Sequence, residues 1–141
     1  MRLKRSSATQ TVLATGLLLQ LQWEFRWRGR QGVGALTRQA MRVAPVTLPE
    51  LQRSGIDPWQ TASAVWRAKR RLPFTSTCLQ TALATQRLLA YQGVQAAVRV
   101  GVRDTDGPAH AWVEVAELVL DDQGLSGRYL AFAKPGERAN A

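Results

Sequence analysis

Residues 77–122, TCLQTALATQRLLAYQGVQAAVRVGVRDTDGPAHAWVEVAELVLDD, change their apolar period part-way along, and that change decides the fold. After Cys78, the residues Leu79, Ala82, Leu83, Leu89 and Ala90 recur at the spacing of one helix face, and Thr75, Ser76 or Thr77 can each cap its start. From Gly93 onward the period becomes two. Ala96, Val98, Val100 and Val102 fall on one face of a strand, with Arg99, Gly101 and Arg103 on the other. DTDGP at 104–108 has the composition of a turn. In the next strand Ala109, Ala111, Val113 and Val115 point inward, while His110, Trp112 and Glu114 share the opposite face. One helix followed by strands of alternating pattern predicts an α+β domain with a small antiparallel sheet.

The same stretch holds the chain's only cysteine, Cys78, and only histidine, His110, followed closely by Asp121 and Asp122. A thiol, an imidazole and a carboxylate are the parts of a cysteine nucleophile, its base and the group that orients the base. The first turn of a helix suits a nucleophilic sulfur, because its unsatisfied N–H groups and dipole favour a thiolate and can face an oxyanion. Each residue also has a plainer reading: a lone helical cysteine as a small core hydrophobe, the histidine as a structural side chain, and paired acids at a strand end as solvated turn residues. A two-residue hairpin at Ala116 and Glu117 pairs Trp112 with Asp121 and puts Asp121 on the face of His110. A three-residue loop puts Asp122 there instead.

Outward from this stretch the N-terminal half is helical in pattern. Val12, Leu13, Leu17, Leu18, Leu21 and Phe25 recur at three-and-four spacing, with Trp23 and Trp27 expected as core or stapling aromatics. Gly29, Gly32 and Gly34 mark a turn without a phosphate-loop signature, and helix resumes over Thr37 to Val43. LPELQRSG reads as a short helix ended by Gly55. Asp57 and Pro58 start another that runs to the cations of 69–71, and Pro73 closes the helical half. The C-terminal AKPGERANA has the composition of a frayed end.

The chain has 141 residues, 45% of them hydrophobic, which fits one folded domain. Within it, residues 1–72 form a basic helical N-terminal region and residues 73–141 a catalytic core. One cysteine and one histidine exclude a disulfide scaffold and a zinc finger, and a free thiol fits a reducing cytoplasm. The net charge of +9 is concentrated early: residues 1–71 carry 13 basic and three acidic side chains, residues 72–141 six and seven. Such a surface attracts polyanions, anionic lipid or an acidic protein, or serves solubility alone. The start of the chain mimics a signal peptide, but Gln20, Gln22 and the following WEFRWRGR argue for an amphipathic helix packed on the domain. Contact with a membrane surface is its alternative role.

CLQTALATQRLLAYQGVQAAVRVGV, then AHAWVEV and LDD, closely resembles the protease half of the lasso-peptide maturation B proteins, a branch of the transglutaminase-like cysteine protease superfamily. The likeness spans about Pro73 to Asp122. It implies a transglutaminase/papain-like core, a central Cys-bearing helix against a small antiparallel sheet, preceded here by the helical N-terminal region. It implies a catalytic triad of Cys78, His110 and Asp122, thus favouring Asp122 over Asp121. It also implies a function: cleavage of the leader from a ribosomally made precursor peptide before macrolactam closure. The implied partners are that precursor, a separate leader-recognition protein and an ATP-dependent cyclase, with neither cofactor nor nucleic acid. Two departures stand out: Thr81 lies where family members often carry a basic residue, and Leu72 where papain-like proteases carry an oxyanion-binding glutamine.

The Cys78 backbone N–H is then one oxyanion donor, with Thr75, Ser76 and Thr77 candidates for the second and Trp112 packed beside the triad or gripping substrate. Two other classes fit parts of the pattern. An acyltransferase would use the same triad with an amine as acceptor, and a basic nucleic-acid-binding module would explain the charge but not the sole cysteine and histidine in one motif.

Overall fold

A computed structural model describes residues 7–102 and 109–121 and the backbone of 130–131. Four helices precede four short strands: α1 (Ser7–Arg42), α2 (Leu48–Ser54), α3 (Pro58–Arg71), α4 (Cys78–Tyr91), β1 (Ala97–Val102), β2 (Ala109–Val115), β3 (Leu118–Leu120) and β4 (Leu130–Ala131). The strands form one antiparallel sheet in the order β3-β2-β1-β4. The architecture is α+β, as the change of period requires. The 104–108 turn and the C-terminal AKPGERANA lie outside the described residues.

Helix α4 sits at the centre, against α1 and α3 on its helical sides and β2 on the other. Leu83, Leu88 and Leu89 of α4 meet Leu18 and Leu21 of α1, Val65 of α3 and Val98, Val113 and Val115 of the sheet in one buried cluster. Burying each such side chain contributes about 1.5–3 kcal/mol, which is what fixes α4 in place. Of the expected α4 stripe, Ala90 is exposed instead, one residue before the helix ends.

Polar contacts lock α1 onto α4. Arg87 and Glu24 form an ion pair at 2.9 Å, and Gln86 Nε2 donates to Ala40 O at 2.9 Å and to Ala96 O at 2.8 Å. Helix α2 ends at Gly55 in the left-handed conformation, and Asp57 caps α3 by accepting from the Trp59 N–H, both as the sequence predicts.

The glycine cluster behaves differently from the turn expected there. Gly29 alone leaves helical geometry, at φ 67° and ψ −175°, and helix resumes at once through Gly32 and Gly34 to Arg42. A kink therefore replaces the turn. That backbone region is closed to residues bearing a Cβ, although nothing within 4 Å would obstruct one. Gly29→Ala is therefore expected to destabilise the protein by about 1–3 kcal/mol in urea unfolding, the cost of strain rather than of a clash.

The outer face of α1 also departs from expectation. Val12, Trp23 and Trp27 are 71%, 63% and 72% exposed, so none of them is a core residue. The two indoles touch with centroids 5.5 Å apart and planes tilted by 47°, on the side of the helix opposite Leu17, Leu18 and Leu21. Among the described residues, no helix is long and apolar enough to cross a membrane.

Candidate active site

The site is assembled from the first turn of α4 and the β2–β3 hairpin. Thr77, and neither Thr75 nor Ser76, is the α4 N-cap: its Oγ1 accepts from Gln80 N at 3.1 Å while Gln80 Oε1 accepts from Thr77 N at 2.9 Å. This reciprocal capping box fixes the backbone on both sides of Cys78. Gln80 is held in turn from α1, donating through Nε2 to Gln22 Oε1 at 3.0 Å. Gln22 and Gln80 thus belong to the site's support, and the sequence signal that could have found Gln80 is the Thr-x-x-Gln spacing ahead of an apolar run. Gln80→Leu should lower stability by about 1 kcal/mol, read from urea unfolding, because it removes the bond from Thr77 N to the Gln80 side chain and the brace to α1, while the bond from Gln80 N to Thr77 Oγ1 stays.

Cys78 is half-buried, and its thiol donates to the backbone oxygen of Ala109, the residue before His110, at 3.9 Å. Among the described residues its sulfur makes no hydrogen bond to the imidazole. The side chains of His110 and Asp121 are both 4% exposed, with Nε2 and Oδ1 2.9 Å apart. The hairpin that joins them is the two-residue one. Val113 pairs with Leu120 and Val115 with Leu118 across the Ala116–Glu117 turn, where Ala116 adopts a positive φ of 54°. In that register Asp121 continues opposite Trp112, diagonal to His110 and on its face. Asp122, to which the resemblance gives the orienting role, lies outside the described residues.

The histidine face of the sheet is buried, not half-exposed as alternation alone suggests. Arg99 on β1 is 5% exposed, donating from Nε to Glu114 Oε2 at 3.0 Å and from Nη1 to Met41 O at 3.1 Å. Glu114 Oε1 accepts from Trp112 Nε1 at 3.5 Å, and the Trp112 ring lies 5.8 Å from the His110 ring at 32°. One chain of contacts therefore runs from the end of α1 through Arg99, Glu114 and Trp112 to His110. Trp112, itself 4% exposed, packs beside the imidazole. Opposite His110 on β1 stands Gly101, which adds no side chain to that face.

One cavity borders Cys78, and a second lies beside the next residue of α4. The first, of about 10 Å³, is lined by Cys78, Thr81, Ala111, Trp112 and Asp121 among others and has room for about one water. The second is an open groove of about 710 Å³, floored by Leu79, the residue after Cys78, and by Val100 of β1. Ser76 Oγ is buried and without a partner among the described residues, two positions before the thiol. No group of side chains that could hold a metal ion occurs among the described residues.

A thiol at a capped helix N-terminus beside a hairpin that holds a histidine–carboxylate pair has the residue types that cysteine-dependent acyl transfer uses. A family model described as transglutaminase-like superfamily matches residues 16–134. The chain belongs to the transglutaminase-like superfamily. This superfamily includes cysteine proteases and acyltransferases. The match takes in α1 from Gly16 onward, α2 and α3 as well as the stretch from Pro73 on which the sequence resemblance rests. No curated protein and no solved structure matches the chain.

Proposed function

We propose that this member of the transglutaminase-like superfamily is the leader peptidase of a lasso-peptide pathway: a cysteine endopeptidase that cuts a ribosomally made precursor before macrolactam closure. The observation that carries the catalytic part is the 2.9 Å contact between His110 Nε2 and Asp121 Oδ1, one strand from the helix that Cys78 begins. The lasso-peptide assignment is supported by CLQTALATQRLLAYQGVQAAVRVGV and AHAWVEV, the phrases that resemble the B-protein protease half.

In this mechanism Nε2 is held by Asp121, so Nδ1 acts as the base. The thiol turns from Ala109 O toward the neighbouring imidazole, which takes its proton, and the sulfur attacks the carbonyl carbon of the scissile peptide. The Cys78 N–H binds the oxyanion, and the Ser76 hydroxyl is the second donor. When the C–N bond breaks, His110 returns the proton to the leaving amine of the core peptide. Water, deprotonated by His110, then attacks the thioester, the C–S bond breaks, and the proton goes back to the thiolate. Leader acid and core amine leave. A separate recognition protein presents the leader, and the ATP-dependent cyclase consumes the core.

Incubating the protein with a leader–core precursor and its recognition protein tests this by mass spectrometry. Two fragments whose masses sum to the precursor plus one water are expected. An amide-linked product with an added amine would instead make the protein an acyltransferase, and an intact precursor would refute both.

A further inference from the structure

The crevice between Cys78 and Asp121 admits no more than about one water, so a peptide has to reach the sulfur from elsewhere. Among the described residues a groove of about 710 Å³ lies beside Leu79, and its volume lies in the range of ligand sites. It is formed by the bend in α1: Gly29 redirects the helix, and Phe25 before the bend and Val33, Thr37 and Met41 after it form one wall over a floor of Leu79 and Val100. The lining is apolar except for Arg30, Arg38 and Thr37, whose hydroxyl donates to Val33 O at 2.8 Å. Both arginines are exposed, and among the described residues neither belongs to an ion pair. Arg38 does not extend away from the groove, since a Cβ placed on Gly34 would meet its Nη1 at 3.3 Å.

We infer that this groove binds the substrate peptide through an apolar side chain seated against Leu79, Val100 and Val33, with flanking carboxylates paired to Arg30 and Arg38. Charge complementarity selects the occupant. An apolar pocket edged by two unpaired cations favours a short acidic-apolar-acidic segment over a basic or purely apolar one. The inference rests on the proposal that Cys78 is the nucleophile: the groove is lined by Leu79, the next residue of α4, while Cys78 itself lines the small crevice.

Fluorescence anisotropy of the full-length Cys78→Ala protein tests binding apart from turnover. The probes are two fluorescein-labelled heptapeptides, Gly-Ser-Glu-Leu-Glu-Ser-Gly and Gly-Ser-Lys-Leu-Lys-Ser-Gly. At low salt the acidic peptide is expected to bind at least about fivefold tighter, and added salt should shrink that advantage. Arg30→Glu/Arg38→Glu should reverse the preference, and Thr37→Trp, which fills the groove, should weaken the acidic peptide roughly tenfold or more. Arg26→Glu/Arg28→Glu should leave the preference in place. Binding of neither peptide, equal binding of both, or an equal loss from the Arg26/Arg28 reversal would overturn the groove; the last would assign the effect to net charge alone. A separate arm treats the unmodified protein with a small acetyl thioester, whose acetyl group passes to Cys78 with release of the small thiol. Peptide binding without acetylation would refute the catalytic proposal and keep the groove. Acetylation without peptide binding would do the opposite.

Discussion

Cys78→Ala is expected to lower precursor cleavage by at least ~10⁴-fold while leaving thermal unfolding nearly unchanged. The size of the loss follows from the mechanism: without the sulfur no acyl-enzyme forms, and only binding and oxyanion stabilisation remain. The near-neutral effect on stability follows from the site. Cys78 is half-buried and contributes one weak S–H···O contact of 3.9 Å to Ala109, whereas the start of α4 is fixed by Thr77 and Gln80, which the substitution leaves alone. Circular dichroism and precursor cleavage on the same sample separate the two effects. A folded Cys78→Ala protein that still cleaves would exclude the thiol mechanism.

Asp121→Asn is expected to lower turnover by about 10²–10⁴-fold, with a much smaller loss for Asp122→Asn. The Asp121 side chain is 4% exposed with Oδ1 2.9 Å from His110 Nε2, and in the proposed mechanism its carboxylate accepts the ring N–H and sets the tautomer in which Nδ1 takes the thiol proton. An amide at this position can present its own N–H to the ring and favour the opposite tautomer. The Ala116–Glu117 hairpin register produces that placement, and a register shifted by one would place residue 122 there instead. Comparing the two substitutions in single-turnover cleavage therefore distinguishes the acid favoured by the hairpin from the acid favoured by the family resemblance. The reverse ranking would give the orienting role to Asp122.

Much of the framework is legible in the sequence because local rules and tertiary packing agree. The cap at Asp57 and the end at Gly55 follow from residue types that permit few backbone alternatives, whereas the α4 cap among Thr75, Ser76 and Thr77 and the length of the hairpin, with Ala116 at φ 54°, do not. Burial is less legible. Alternation places His110, Trp112 and Arg99 on a polar face, but it carries no information about what covers that face, and all three are buried. The sequence pattern equally does not separate a turn from a kink at Gly29, since glycine permits both and only packing of α1 along α4 and β1 selects continued helix. Trp23 and Trp27 have the spacing of neighbours and are neighbours. Their side of the helix is not legible, because apolar residues occur on both faces of α1.

The site divides in the same way. The unique Cys78 and His110 point to the chemistry through residue type and position along the chain alone. Gln22, Gln80, Arg99 and Glu114 support them through contacts of 15 to 58 residues' separation, apart from the short-range capping box and the Glu114–Trp112 contact, and such long-range contacts leave no periodic trace in a sequence.

The central claim is that Cys78 carries the acyl group of the leader. Acid-quenching the protein within its first turnovers on precursor, followed by peptide mapping, tests it most directly. The expected result is a leader-sized adduct on the Cys78 peptide that disappears as the cut leader accumulates. Cleavage proceeding with Cys78 unmodified throughout, and equally in Cys78→Ala, would contradict the mechanism.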